Sequence, residues 1–136
     1  MVKEFEGFRA DAYTCPGDKL TIGYGHVIRD GESFESPITE DEATRILFDD
    51  LHDASSCVNR NVTSVISQQQ FDSLTSFVYN IGCGNFVSST LLKLLNKNEY
   101  EDASREFGRW IYANKKRLRG LVRRREAERL LFVSKV

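Results

Sequence analysis

Two kinds of punctuation divide this chain of 136 residues, and they limit its fold more than composition does. Between Ala12 and Ser36 the turn formers Pro16, Gly17, Gly23, Gly25 and Gly31 interrupt short alternating pieces such as KLTIGYG. No helix of ordinary length fits that tract, whereas short strands joined by tight turns do. Downstream the punctuation changes to helix caps. Thr39 precedes Glu42 by three residues and Ser67 precedes Gln70 by three, the spacing at which a hydroxyl and a carboxyl or amide side chain satisfy each other's backbone N–H groups. Behind the first cap, Ala43, Ile46, Leu47, Leu51, Ala54 and Val58 recur at helical spacing; behind the second, Phe71, Leu74, Val78 and Ile81 do so, with Gly82 as the stop. The segments SSTLLKLLNK, EYEDASREFGRWIYA and GLVRRREAERLLFV read as further helices, and KEFEGFRADA reads as a short helix over residues 3–11.

The fold class expected is therefore α+β. A small β lobe over about residues 12–36 packs against a helical lobe of 1–11 plus 39–136, in a single domain of 1–136 with a cleft between the lobes. No internal repeat, low-complexity segment or flexible linker divides the chain. Hydrophobic residues make up 40% of it, with nine Phe, enough for one buried core. No run approaches the eighteen or so apolar residues that would cross a membrane, and the start MVKEFEGF lacks the basic, apolar and small-residue regions of a secretory signal. The three cysteines are odd in number and spaced 42 and 26 apart, which matches neither a disulfide framework nor a zinc cluster. At least one free thiol follows, with Cys57 and Cys83 read as small packed residues. The two histidines are neither clustered nor at ligand spacing, so neither a metal nor a cofactor is expected.

A formal net charge of −1 conceals an asymmetry. Residues 1–104 carry eight Lys or Arg against seventeen Asp or Glu, and residues 105–136 carry eleven against three. A basic tail of this kind suits an anionic partner. Nucleic acid is not expected, because no nucleic-acid-binding signature is present and the remainder is acidic. The other reading of KKRLRGLVRRREAER is a solvated helix whose arginines pair with the acidic front of the same protein.

The chemistry-bearing residues gather near the N-terminus. Glu6, Cys15 and Thr21 are separated by eight and five residues, with the last two on the expected hairpin. Cleaving a glycosidic bond needs a protonated acid at the leaving oxygen and a second group on the other face of the sugar. Glu6 suits the first role, flanked by Phe5 and Phe8. Cys15 could serve as base or nucleophile, although an ordinary thiol is mostly neutral at pH 7 and so a poorer base than a carboxylate. A cysteine-hydrolase pair of Cys15 with His26 is the rival, but the hairpin offers neither an oxyanion hole nor an orienting Asn.

Together with EGFRADAY and TIGYGH, this spacing resembles the phage-type lysozymes of glycoside hydrolase family 24, whose motif is Glu, eight residues, Asp or Cys, five residues, Thr. FDSLTSFVYNIGCGNFVSSTLL, the GRW near residue 109 and GLVRRREAERLLF resemble that family's later helices. The resemblance implies a muramidase of bacteriophage endolysin type, hydrolysing the β-1,4 bond between N-acetylmuramic acid and N-acetylglucosamine in peptidoglycan. It implies that Glu6 is the catalytic acid, that Cys15 stands where Asp is commoner, and that Thr21 helps hold the water or intermediate. It further implies that His26 pairs with Asp50 on the long helix, that Arg124 or its neighbour Arg123 contacts the catalytic Glu, and that Tyr24 and Asn80, with Gly82 and Gly84, line the glycan. The remaining arginines are then a solvated or wall-facing surface. A monomer follows, without stable membrane insertion, held in the host cytoplasm until release and acting on the wall or periplasm. A lytic transglycosylase of similar fold, using Glu6 alone, and a catalytically silent wall-binding module are the alternatives.

Overall fold

The computed structural model describes residues 1–14, 20–34 and 36–135. They form two compact units, Met1–Asp50 and Leu51–Val136, with the division falling inside one long helix.

The first unit begins with helix α1, Val2–Glu6. It is shorter than the helix expected over 3–11. Gly7 takes φ +69° and its N–H closes the last turn on the Lys3 carbonyl at 2.9 Å, after which the chain leaves as a strand. An L side chain rarely adopts that φ, so the glycine is what allows the stop. Strand β1 (Arg9–Thr14) pairs antiparallel with β2 (Leu20–Gly23), which pairs antiparallel with β3 (His26–Val27). The β1–β2 ladder matches Arg9 with Gly23 and then Tyr13 with Thr21, so it carries an irregularity between Arg9 and Tyr13. Within that irregularity the Ala10 carbonyl accepts instead from the Ile38 N–H at 2.9 Å. Ile22, Ile38, Ala43 and Leu47 are buried. Helix α2 spans Glu40–Asn61, and at its start the Glu42 N–H donates to Thr39 Oγ1 at 3.1 Å, one half of the expected reciprocal cap.

In the second unit, α3 (Gln68–Ile81) starts on a complete capping box, Gln70 N–H to Ser67 Oγ at 3.1 Å and Ser67 N–H to Gln70 Oε1 at 2.8 Å. Helices α4 (Cys83–Val87), α5 (Thr90–Asn96) and α6 (Tyr100–Arg105) follow, then a 3₁₀ turn over Glu106–Arg109. The expected continuation of helix through WIYA does not occur. Instead β4 (Tyr112–Ala113) pairs with β5 (Lys116–Arg117) across Asn114 and Lys115, both at positive φ. That two-residue turn matches the right-handed twist of the flanking strands. Helix α7 (Arg119–Val133) closes the chain. The core of this unit is aromatic: the Phe77 ring lies 5.0 Å from Phe107, 6.4 Å from Phe86 and 6.0 Å from Trp110, all edge-on, the arrangement that sets a positive ring edge against a negative face.

Cys57 and Cys83 are not two reduced residues. They form a disulfide with Cα atoms 6.0 Å apart, joining α2 to the first residue of α4. Their separation of 26 residues carries no framework signature; what brings them together is the out-and-back path of α3 between them.

Candidate active site

Glu6 is the last residue of α1 and is half-buried. Its carboxyl stands directly against the turn between β2 and β3. A Cβ placed on Gly25 would lie 2.7 Å from Glu6 Cδ. Thr21, on β2 and 2% exposed, belongs to the same small sheet, paired with Tyr13 on one side and Val27 on the other. Cys15 lies outside the described residues. The hairpin therefore brings Glu6 and Thr21 into one body although fourteen residues separate them in sequence.

Tyr24 occupies the turn itself, 8% exposed, its ring 5.7 Å from that of Phe8 and 4.9 Å from Lys3 Nζ. Next to it, His26 is 5% exposed and lies between two carboxylates. Nδ1 is 2.7 Å from Asp50 Oδ2, and Nε2 is 3.1 Å from Glu32 Oε1. Ionised carboxylates only accept, so both ring nitrogens present N–H, which describes an imidazolium. The hydrogen bond to Asp50 raises the His26 pKa above its ordinary value; burial opposes it, and Asp50 and Glu32 charges add to the rise. Glu32 is lowered in turn, chiefly by the Arg29 backbone N–H that donates to it at 2.7 Å. Glu32 escaped the sequence reading, where only its position six residues after His26 could have drawn attention. Both ring nitrogens of His26 are engaged by carboxylates on its own unit, Asp50 and Glu32.

In the second unit the structure corrects the reading of Arg125 as part of a solvated surface. Arg124 and Arg125 are 3% and 2% exposed, and only Arg123 of the three faces solvent. Both buried guanidinium groups converge on Glu128, itself 0% exposed: Arg124 Nε lies 3.3 Å from Oε2 and Arg125 Nε 3.2 Å from Oε1. Ser76 Oγ donates to Glu128 Oε2 at 2.6 Å, and Arg124 Nη2 donates to the Ser76 carbonyl at 3.2 Å. Burial pushes the Glu128 carboxyl up, against the pull of Arg125, Arg124 and Ser76. Arg125 Nη2 reaches the surface end of α3 and donates to Asn80 Oδ1 at 2.6 Å. Because a guanidinium can only donate, the Asn80 amide is fixed with its oxygen inward and its NH₂ outward. The spacing of Arg124 and Arg125 four and three residues before Glu128 was legible as helical pairing, but nothing local marked the group as buried.

Among the described residues, no three or more His, Cys, Asp or Glu side chains gather where they could hold a metal ion, and no helix is long and apolar enough to cross a membrane.

A carboxylic acid at the end of a short helix, set against a small antiparallel sheet and followed by a mainly helical unit, defines a lysozyme-fold glycoside hydrolase. The muramidase domain of SpmX from Asticaccaulis excentricus has this fold, with a TM-score of 0.85 over 98% of this chain and 92% of that one at 33% identity. Residues 3–128 match the family model for phage lysozyme, and the chain belongs to that family. Its relatives include the endolysin of Acyrthosiphon pisum secondary endosymbiont phage 1, 39% identical over 98% of this chain and 93% of the relative. The endolysin of Bacillus phage B103 is 41% identical over 98% of this chain, which spans about half of that longer protein, 51%.

Proposed function

We infer that this lysozyme, acting as a bacteriolytic endolysin on the glycan strands of bacterial peptidoglycan, uses Glu6 as the general acid at the β-1,4 bond between N-acetylmuramic acid and N-acetylglucosamine. The observation that carries this reading is the Glu6 carboxyl held on the turn of the same hairpin that bears Thr21. Protonating the leaving oxygen requires an acid fixed at one face of the sugar, and a short helix ending against a sheet fixes it better than a mobile loop does. The opposite face is assigned to Cys15, as base or nucleophile, with Thr21 holding the water or intermediate. His26, Asp50 and Glu32 hold the hairpin in shape. Arg124 supports the acid, while Tyr24 and Asn80 contact the glycan, Asn80 through the NH₂ that Arg125 leaves outward.

The enzyme works as a single-domain monomer, accumulates in the host cytoplasm and acts on the wall after release. Lys115, Lys116, Arg117, Arg119 and Arg123 are exposed and draw it to an anionic wall, an attraction that added salt weakens.

The test is clearing of permeabilised Gram-negative cells by the parent and by Glu6→Gln, with both proteins checked for native circular dichroism. A folded Glu6→Gln should be slower by about a hundredfold or more, as loss of a general acid demands. Equal clearing rates would refute the assignment, and 1,6-anhydro ends in the digested glycan would replace hydrolysis by a transglycosylase reaction.

A further inference from the structure

Gly25, in the turn joining β2 to β3, has φ +86°, and a Cβ added to it would stand 2.7 Å from Glu6 Cδ, 2.8 Å from Oε2 and 2.9 Å from Oε1. Non-bonded heavy atoms settle at about 3.5–4.0 Å, so all three carboxyl atoms occupy space that any other residue at position 25 would claim. We propose that Gly25 is a positioning residue for the glycosidase reaction: the bare Cα of this turn sets where the Glu6 carboxyl stands. The proposal rests on the reading of Glu6 as the acid, and it extends the site by a residue that has no functional group of its own.

Two features separate this role from ordinary turn geometry. The obstructing atoms are the far end of a flexible side chain, so an alanine methyl can be accommodated by swinging the carboxyl away without moving the backbone. Displacement of the acid, more than unfolding, is then the consequence. Gly31 supplies the comparison within the same unit. It has the same φ of +86°, yet nothing lies within 4 Å of where its Cβ would be. The two glycines make one backbone demand, and only Gly25 adds the contact with Glu6. Alanine at either position carries the strain of a left-handed backbone; alanine at 25 alone also moves the carboxyl.

A displacement approaching 1 Å in a reacting group can cost about a hundredfold in rate. Gly25→Ala should therefore lower kcat by about tenfold or more while KM stays within about twofold, and Gly31→Ala should keep both within about twofold of the parent. Equal kcat values for the two alanine variants would overturn the proposal. A second measurement does not depend on activity. Thermal midpoints of Gly25→Ala are compared in the parent and in Glu6→Ala, where the carboxyl is gone. A smaller loss in the Glu6→Ala background supports the contact, and equal losses overturn it. Should Gly25→Ala fail to fold in the parent, folding in the Glu6→Ala background supports the proposal and failure in both overturns it. Undiminished activity of Glu6→Gln would remove the acid assignment alone, since the melting comparison reports the Gly25–Glu6 contact whatever chemistry that carboxyl performs.

Discussion

Removing the Cys57–Cys83 disulfide should cost a quarter or more of the stability of a typical domain. The bond closes a sequence separation of 26 residues that contains all of α3. In the chain-entropy treatment a closed loop of this length withholds about 12 cal/mol/K from the unfolded ensemble, or about 3.5 kcal/mol at 25 °C. Net stabilities of single domains are about 5–15 kcal/mol. Cys57 is fully buried, so its replacement by alanine also empties the volume of one sulfur in the core, adding about 1 kcal/mol. The perturbation is the double variant Cys57→Ala, Cys83→Ala, compared with the parent in a Cys15→Ser background that prevents thiol exchange.

Trp110, the only tryptophan, packs against Phe77 in the unit that contains the disulfide and reports its unfolding by fluorescence. With a urea slope of about 2 kcal/mol/M, the midpoint should fall by about 1.5–2.5 M. Dithiothreitol should lower the parent's midpoint by a comparable amount and leave the double variant unchanged. A midpoint shift below about 0.5 M would refute the loop-entropy argument. A dithiothreitol effect on the double variant would show that the reductant acts elsewhere.

His26 gives a pH signature. Its folded pKa is raised above 6.5, so its contribution is fully present below 6.5 and is lost as pH rises through the folded value; His26→Gln should therefore lower the melting midpoint more at pH 5.5 than at pH 9, and equal losses would mean that the imidazolium is not the stabilising form. Glu32 has the opposite sign: its pKa is lowered from 4.5, so its support is present above 4.5 and fades as pH falls through the folded value. In the second unit, Glu128→Gln neutralises the buried carboxylate that Arg124, Arg125 and Ser76 share and should cost about 3–5 kcal/mol in urea unfolding, whereas the exposed Glu126→Gln should leave the urea midpoint almost unchanged.

What could be read from the sequence was whatever a few neighbouring residues decide among themselves. The Ser67–Gln70 box and the Gly82 stop around α3 are bonds between residues three or four apart, and the structure contains them as expected. KEFEGFRADA was ambiguous by the same measure, because its acidic and apolar spacing satisfies a helix while RADAYT equally alternates as a strand. Pairing of Arg9 with Gly23 and Tyr13 with Thr21 decides between them, and that partner lies across the hairpin. WIYANKKR was missed for a related reason: Lys115 takes a positive φ that no lysine advertises.

The site shows the same division in sharper form. Glu6, Thr21, His26 and Asp50 were reachable through the family motif, whereas Glu32 beside His26 was not. In the second unit, Glu128 and Arg125 read as two more solvent-facing charges on a polar helix, and what accompanies their burial is Ser76, 52 residues before Glu128, placing a hydroxyl 2.6 Å from the carboxylate. Gly25 read as turn punctuation, and as punctuation it is no different from Gly31. Only the carboxyl of a residue nineteen positions earlier, brought within 2.9 Å of where a side chain would begin, separates a glycine that bends the chain from one that also leaves room for the acid. A sequence motif records which groups take part in the chemistry. The space a missing side chain leaves open is a property of the folded chain, because it is defined by the atoms of a residue distant in sequence.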